Sequence, residues 1–395
     1  MNTEIPKPPW MRFQWYATPP RLFSTADECV QCPIEGEWKE IEHVEIVACK
    51  ESIQPFDKTE LWDLAKRITN PYELISTQSN RLTLPKSTSC IFPLSRSFFK
   101  MIEMLTCMTF FDRHKQPKLK SLHICEGPGG FIEAFHYMAS DKKRIIQSSH
   151  AMTLKSTHIV IPGWRRATQF LQKHPQIQLL YGPTKTGNIY EPCNQDECVQ
   201  AVGAGGAHLV TSDGGFDFSD DFHAQEKTIL RLLVCSSLIL LRAVAVEGDF
   251  VLKLFDCNSQ ATRDLIALLA SCFQQWSLYK PVTSRPCNSE WYFIGKSALR
   301  NRQHAIQILT RVRDGLANDP PTSYEKLLVQ NPLNEFLLNL QEERCVQQMK
   351  ALKEVLTFCN EKESIDHTAL WEKQRQPSIL WCNHFRIPTE FRGGF

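Results

Sequence analysis

Four charged side chains stand in this sequence where charge is expensive. Lys100 interrupts the run Phe98-Phe99-Lys100-Met101-Ile102, in which Phe98, Met101, Ile102 and Leu105 repeat at helical spacing. Lys253 interrupts Phe250-Val251-Leu252-Lys253-Leu254-Phe255. Asp213 follows the apolar segment Ala207–Thr211, and Glu290 precedes Trp291–Ile294. A charge placed in apolar surroundings must be paired or must change its protonation state. A lysine can serve as a proton acceptor if burial and a second cation lower its pKa, whereas neighbouring carboxylates raise it again. Two lysines and two carboxylates therefore form a set able to take or position a hydroxyl proton, provided the fold brings them to one edge. A snorkelling surface lysine is the plain alternative for Lys100. Two buried ion pairs are the plain alternative for all four, although such pairs are costly and seldom retained for stability alone.

A second stretch could hold a ligand: His123-Ile124-Cys125-Glu126-Gly127-Pro128-Gly129-Gly130-Phe131. It reads as a buried strand over Leu122–Cys125, a glycine turn, and a helix beginning at Phe131. Glu126 stands at the carboxyl end of that strand, the end at which open α/β sheets bind ligands. The glycines allow close approach of a ligand to the backbone. The spacing is not G-x-G-x-x-G, and the Lys-Ser/Thr of a P-loop is missing.

Positioning these residues requires a sheet. After Leu122–Cys125, strands are expected at Ser149–Leu154, Ile177–Tyr181, Ala207–Thr211, Asp249–Phe255, Ser277–Lys280 and Trp291–Ile294. Helices are expected over 56–82, pausing before Pro71, and over 91–111, 224–246, 259–276 and 300–365. Alternating strands and helices imply a Rossmann-like α/β fold, a doubly wound and mostly parallel sheet. The last two strands have no helix between them, so one antiparallel strand is expected. The expected organisation is an irregular N-terminal arm over 1–55, a core domain over 56–299 and a helical C-terminal extension over 300–395, with Trp371, Trp381, Phe385 and Ile387 packed back on the core. The arm's prolines and its Trp10, Trp15 and Trp38 suit a segment draped over that core; stacking on RNA bases is the alternative.

Composition bounds the rest. Of 395 residues, 42% are hydrophobic and 22% charged, as in globular proteins. No apolar run reaches about 18 residues, so no membrane span or membrane partner is expected. The first ten residues lack the apolar stretch of a secretory signal. The 15 cysteines lie scattered in apolar segments and read as reduced, buried side chains. Cys29-x-x-Cys32 lacks a second pair at finger spacing, so no metal is expected. With a formal net charge of only +2, any nucleic-acid site must be a local basic groove. Lys66, Arg67 and Arg81 are candidates for one, or form a solvated face.

The acidic residue before Gly-Pro-Gly-Gly-Phe resembles the cofactor loop of the RrmJ/FtsJ-like 2′-O-ribose methyltransferases. The order Lys100, Asp213, Lys253, Glu290 resembles that family's Lys–Asp–Lys–Glu tetrad. Flanks resemble its cap-specific mRNA branch: Asn70-Pro71-Tyr72-Glu73, Met152-Thr153-Leu154-Lys155, Tyr181-Gly182-Pro183 with Gly187-Asn188-Ile189, and Lys280-Pro281-Val282-Thr283-Ser284-Arg285-Pro286. The resemblance covers residues 60–300, with an echo at Ile387-Pro388. Two departures stand out: Ser95-Arg96 where the branch usually has Asn-Arg, and Asn188 where it usually has Asp.

The resemblance implies S-adenosyl-L-methionine as cofactor, held by Ser95, Glu126, Gly127, Pro128, Gly129, Gly130, Phe131, Asn188, Ile189 and Asp213. It implies Lys253 as base or hydroxyl orienter, Lys100 as its electrostatic partner, and Asp213 and Glu290 as positioners. It implies capped mRNA as partner, meaning the 7-methylguanosine cap and the first transcribed nucleotides, with Lys66 and Arg67 on the cap and its triphosphate. His223, Gln225 and Asn288 are further substrate candidates, although a histidine there is more often structural. The expected reaction is methylation of the ribose 2′-hydroxyl of a cap-proximal nucleotide. The alternatives are ribosomal or transfer RNA as substrate, and an inactive RNA-binding subunit. A nuclear location is expected, or a cytoplasmic one for a viral enzyme, with contacts to other capping or transcription components.

Overall fold

The structure is a computed structural model. It describes residues 8–19, 35–36, 41, 43–77, 84–155, 163–215, 225–316, 324–325, 327–328, 330–361 and 366–390. The chain opens with β1 (Tyr16–Ala17), followed by α1 (Val44–Glu51), α2 (Glu60–Ile68), α3 (Ser97–Cys107) and the short α4 (Phe110–Arg113). The core then alternates: β2 (Lys118–Ile124), α5 (Gly130–Asp141), β3 (Ile145–Met152), α6 (Thr168–Lys173), β4 (Ile177–Leu180), α7 (Pro192–Val202), β5 (Ala207–Ser212), α8 (Gln225–Ala243), β6 (Val244–Leu254), α9 (Gln260–Ala270), β7 (Phe273–Tyr279) and β8 (Trp291–Ala298). The C-terminal part adds α10 (Gln303–Gly315), α11 (Asn334–Glu361) and α12 (His367–His384).

These eight strands form one sheet in the order β1-β7-β8-β6-β5-β2-β3-β4, and Glu35–Gly36 pairs separately with Tyr324–Glu325 as a two-stranded antiparallel sheet. β2, β3, β4, β5 and β6 run parallel, and β8 runs antiparallel to both β6 and β7. This is the expected α/β architecture with one reversed strand in its core. The order reverses between β2 and β5, and the crevice at their carboxyl ends is where such sheets bind ligands.

Side-chain alternation explains the layers. Leu122, Ile124, Val210, Phe250, Leu252 and Phe293 point to one face, covered by α7, α8, α9 and α10. Leu119, Leu209, Val251, Tyr292 and Ile294 point to the other, covered by α3, α5 and Trp381 of α12. Strands buried on both faces need near-continuous apolar sequence, which is why Lys253 was conspicuous.

Several boundaries differ from expectation. The helix expected over 56–82 is only α2, capped by the Thr59 hydroxyl accepting from the Trp62 amide. It stops where Asn70 turns its side chain onto Glu73 ahead of a 3₁₀ turn at Glu73–Ile75. The helix expected over 259–276 divides into α9 and β7. The segment 300–365 divides into α10 and α11. The arm contributes β1, whose Tyr16 and Ala17 pair with Trp276 and Gln275, so it is not wholly irregular. Trp10 packs against Tyr72 and Phe385. His223, Cys29, Cys32, Trp38 and Arg81 lie outside the described residues. No described helix is long and apolar enough to cross a membrane.

Candidate active site

Register places the chemistry. Lys253 pairs with Tyr292 across β6 and β8, and Leu254 pairs with Trp291, so Glu290 at the entry to β8 comes beside Lys253. Ser212 pairs with Leu252, so Asp213 emerges beside Lys253 from the other side. Lys100 reaches the same point from α3, which covers this face. The four sequence-selected residues therefore meet. Lys100 Nζ lies 2.5 Å from Glu290 Oε1. Lys253 Nζ lies 3.4 Å from Glu290 Oε2 and 3.6 Å from Asp213 Oδ1. Their side chains keep 9 to 15% of their surface, so the cluster is covered but reachable.

Three further residues complete it. Tyr292 donates its hydroxyl to Asp213 Oδ1 at 2.9 Å or to Glu290 Oε1 at 3.2 Å. Ser284 donates to Glu290 Oε1 at 3.0 Å. Lys280 donates to the backbone carbonyls of Asn288 and Glu290. Tyr292 was discoverable: two residues after Glu290 on a strand, it shares that residue's face. Lys280 stands at the end of β7, but nothing in its local sequence announces those partners.

The electrostatics resolve the question of the lysine's charge. Burial alone would lower the Lys253 pKa, but the Asp213 and Glu290 carboxylates outweigh it and hold it above the ordinary lysine value. Glu290 is the mirror case: burial would raise it, and Lys100 and Lys253 hold it below the usual carboxylate range. Among the lysines of this cluster, the one whose ammonium is destabilised is Lys280, which burial pushes down to about 8. The resting Lys253 is thus an ammonium, and Lys100 serves Glu290 directly.

The glycine loop follows β2 at the reversal point. A Cβ on Gly130 would sit 2.1 Å from Ser97 Oγ, 2.3 Å from Ser95 Oγ and 2.8 Å from the Phe98 amide nitrogen. This glycine therefore lets α5 start against the start of α3, and it brings Ser95 to the loop. A Cβ on Gly127 would lie 2.6 Å from the Gly163 carbonyl oxygen, so that face is approached by the protein's own backbone. Gly129 adopts φ +109 beside Trp164 and Leu94. Pro128 lies between these glycines. Phe131 is buried beneath the loop, 5.8 Å ring to ring from Tyr292. The glycines thus serve close packing as well as any ligand.

Glu126 is 4% exposed. Its Oε1 bonds the Thr211 hydroxyl, and its Oε2 is buried without a hydrogen-bond partner. Burial, with Asp213 adding to it, raises its pKa well above the carboxylate range. Two carboxyl groups thus stand at the ends of neighbouring strands with one acceptor atom unsatisfied, a donor set suited to a cationic ligand.

The remaining candidates are distributed around this crevice. On the loop after β4, Gly187 is held against the Thr153 carbonyl. Asn188 Oδ1 accepts from the Tyr190 amide, and Ile189 is buried in the core, so both have structural work of their own. Lys66 pairs with Asp63 on its own helix. Arg67 lies 3.7 Å from Glu73. That carboxylate also receives Asn70 and a two-nitrogen grip from Arg285, and Arg96 stands 3.2 Å away. Burial would raise Glu73, but Arg96 and Arg285 hold it down at about 2. Asn288 is exposed. Gln225 begins α8.

Comparison with known proteins bears on this geometry. The family model described as FtsJ-like methyltransferase matches residues 93–298, just over half of the chain, and includes the glycine loop and all four charged residues. Proteins named cap-specific mRNA (nucleoside-2′-O-)-methyltransferase 1 are similar to the chain. That of Mus musculus is 28% identical over 99% of this chain and 46% of its own length. That of Homo sapiens is 27% identical over 90% and 43%. That of Caenorhabditis elegans is 33% identical over 47% and 20%. The chain spans about half or less of the length of these curated relatives. A methyl donor is implied by the family, and the unsatisfied acidic crevice suits one that carries positive charge. On the matched core and the residues it encloses, the chain belongs to the FtsJ-like methyltransferase family.

Proposed function

We propose that this chain transfers a methyl group from S-adenosylmethionine to the 2′-hydroxyl of a cap-proximal ribose in capped mRNA. The observation that carries the reading is the convergence of Lys100, Asp213, Lys253 and Glu290 beside the crevice between β2 and β5. The names of the relatives support the substrate class, as does the basic segment Lys66-Arg67, which is joined through Glu73 and Arg285 to the loop carrying Glu290.

When bound, S-adenosylmethionine supplies a methyl group on a sulfonium leaving group. Glu126 and Asp213 are the residues fitted to its positive charges, with Ser95 and the glycine loop beside them. At rest, the Lys253 ammonium is held between two carboxylates and can orient a hydroxyl oxygen by donating to it. Positive charge brought beside Asp213 weakens that carboxylate's hold on the lysine proton, because like charges disfavour one another. Once that proton has passed to solvent, in the complex that holds both cofactor and RNA, the neutral Lys253 Nζ has the lone pair to take the hydroxyl hydrogen. Lys100, Ser284 and Tyr292 hold Glu290 and Asp213 in place while this happens. Lys66 and Arg67 supply positive charge for the phosphates of the substrate, an attraction that salt should weaken.

Incubation with labelled cofactor and a panel of capped, uncapped and structured ribosomal RNAs tests the reading. Transfer confined to capped RNA is expected. Transfer to uncapped ribosomal fragments would reassign the substrate, and RNA binding without transfer would make the chain an inactive subunit.

A further inference from the structure

A continuous buried chain of hydrogen bonds runs from the glycine loop to the surface, and methyl transfer makes no use of most of it. Thr211 Oγ1 meets Glu126 Oε1 and lies 2.7 Å from His123 Nδ1. His123 Nε2 lies 2.9 Å from Ser121 Oγ, which is 2.7 Å from Ser149 Oγ. Ser149 Oγ lies 2.9 Å from His136 Nε2, and His136 Nδ1 lies 3.3 Å from His174 Nδ1. Every member up to His136 is buried, whereas His174, just after α6, is only half-buried.

The sheet register builds this chain. Ser121 and His123 alternate on β2 and so share a face. Ser121 pairs with Ser149 on β3, and His123 pairs with Thr211 on β5. His136 drops onto Ser149 from α5. Polar side chains buried in adjacent strands are costly unless they satisfy one another, and these do.

Proton counting leaves two orders. Each hydroxyl has one hydrogen, and a neutral imidazole has one N–H. Burial pushes His123 and His136 down to about 3, so both rings are neutral near pH 7. If Glu126 is ionised, Thr211 donates to it. His123 Nδ1 then donates to Thr211, Ser121 to His123, Ser149 to Ser121, His136 Nε2 to Ser149, and His174 Nδ1 to His136. If Glu126 Oε1 carries a proton, all of these bonds reverse. Passing from one order to the other moves one proton between Glu126 and His174 while the chain stays intact, as a histidine relay can.

Glu126 has reason to hold a proton before ligand arrives. The groups facing it are Thr211 and Asp213 from β5 and its following loop, and His123 and Cys125 from its own strand. None of them is a cation: His123 is neutral at 3.3 Å from Oε2, and the Cys125 thiol is pushed up by burial.

We propose that Glu126 is a proton-exchanging residue of the methyl-donor site: arrival of the cationic donor expels the Glu126 proton, which leaves through Thr211, His123, Ser121, Ser149 and His136 to solvent at His174. The proposal rests on the reading that S-adenosylmethionine binds at the glycine loop. The balance is one carboxyl O–H broken, one carboxylate formed and one proton passed to the buffer for each donor bound.

Titration calorimetry of S-adenosylmethionine into the full chain, in buffers of different ionisation enthalpy near neutral pH, counts that proton. About one should be released per donor bound, and Glu126→Gln should reduce the count to near zero. Ser149→Ala interrupts the relay at its middle. It should leave the count unchanged and slow proton appearance, followed with a pH-indicator dye in stopped flow, by about tenfold or more. Donor binding without proton release overturns the proposal and leaves the cofactor reading standing. Release at an unchanged rate in Ser149→Ala overturns the route. Absence of binding removes both the proposal and the reading beneath it. Should the Glu126 variant fail to fold, the wild-type count and the Ser149→Ala rate decide.

Discussion

At single residues, the chemistry turns on whether Lys253 keeps or releases its proton. Its neighbours at 3.4 and 3.6 Å are both acidic, and they outweigh burial. Asp213→Asn replaces one of those anions by a neutral amide and lowers the lysine's proton affinity. The rise of kcat with pH, measured at saturating cofactor and RNA, should therefore move to lower pH in Asp213→Asn than in wild type. An unmoved profile would leave Lys253 as an orienter only. All four charged residues were legible in the sequence, because Lys100 and Lys253 interrupt apolar elements and Asp213 and Glu290 border them, where a charge needs a purpose. The charge state of Lys253 was not, because opposing effects were set against each other and only distances could rank them. Arg285 and Glu73 illustrate the other limit. Their ion pair joins positions 212 residues apart, and neither stands in an apolar run that would mark it.

Elements meet at two places that help fix the site. Gly130 lets α5 begin against the first turn of α3, the helix that carries Lys100. Gly130→Val drives side-chain atoms into Ser95, Ser97 and Phe98. Overpacking of this kind costs about 1–3 kcal/mol. Denaturant melts should show that loss, and kcat should fall as Lys100 shifts; full stability would mean α3 does not abut the loop. The second place is Glu73, which ties the 3₁₀ turn after α2 to Arg96 and to Arg285 in the loop before β8. Its pKa, near 4.5 ordinarily, is held at about 2 in the fold. A lowered acid contributes stability that is fully present above the ordinary pKa and lost as pH falls through the folded one, here about 3 kcal/mol between about pH 4.5 and 2. Glu73→Gln should flatten the stability profile over that window; an unchanged acid profile would contradict the pairing. Element types were largely legible from periodicity and their ends were not. The apolar run from Leu265 to Phe273 passes from α9 into β7 with only Ser271 interrupting it, so pattern alone merges the two. Asn70 ends α2 through a side-chain bond to Glu73 that periodicity does not record.

Over the whole molecule, the C-terminal helix and the N-terminal arm close around the same face of the sheet. Trp381 of α12 is fully buried, meets Phe99 of α3 edge to face and donates its indole N–H to Glu103 Oε2. Glu103 also takes the Tyr279 hydroxyl and the Val282 amide, and burial pushes its pKa up to about 7. Trp381→Ala removes a large core side chain and leaves a buried carboxyl short of a donor, at a cost of about 3–5 kcal/mol. Thermal melts should report it, and a change under about 1 kcal/mol would mean that α12 is not integral to the core. That the C-terminal segment packs against the core was readable from its aromatic residues. The strand added by Tyr16–Ala17 was not, because two residues joined by backbone hydrogen bonds have no sequence periodicity to detect.

The most direct test of the central claim is the product itself. A short capped transcript, incubated with the chain and S-adenosylmethionine and then digested to nucleosides for mass spectrometry, should carry one 2′-O-methyl group on a cap-proximal ribose. Lys253→Ala should reduce its rate of formation by about 10²–10⁴-fold while cofactor still binds. A methyl group on a base, or a Lys253→Ala rate close to wild type, would contradict the account.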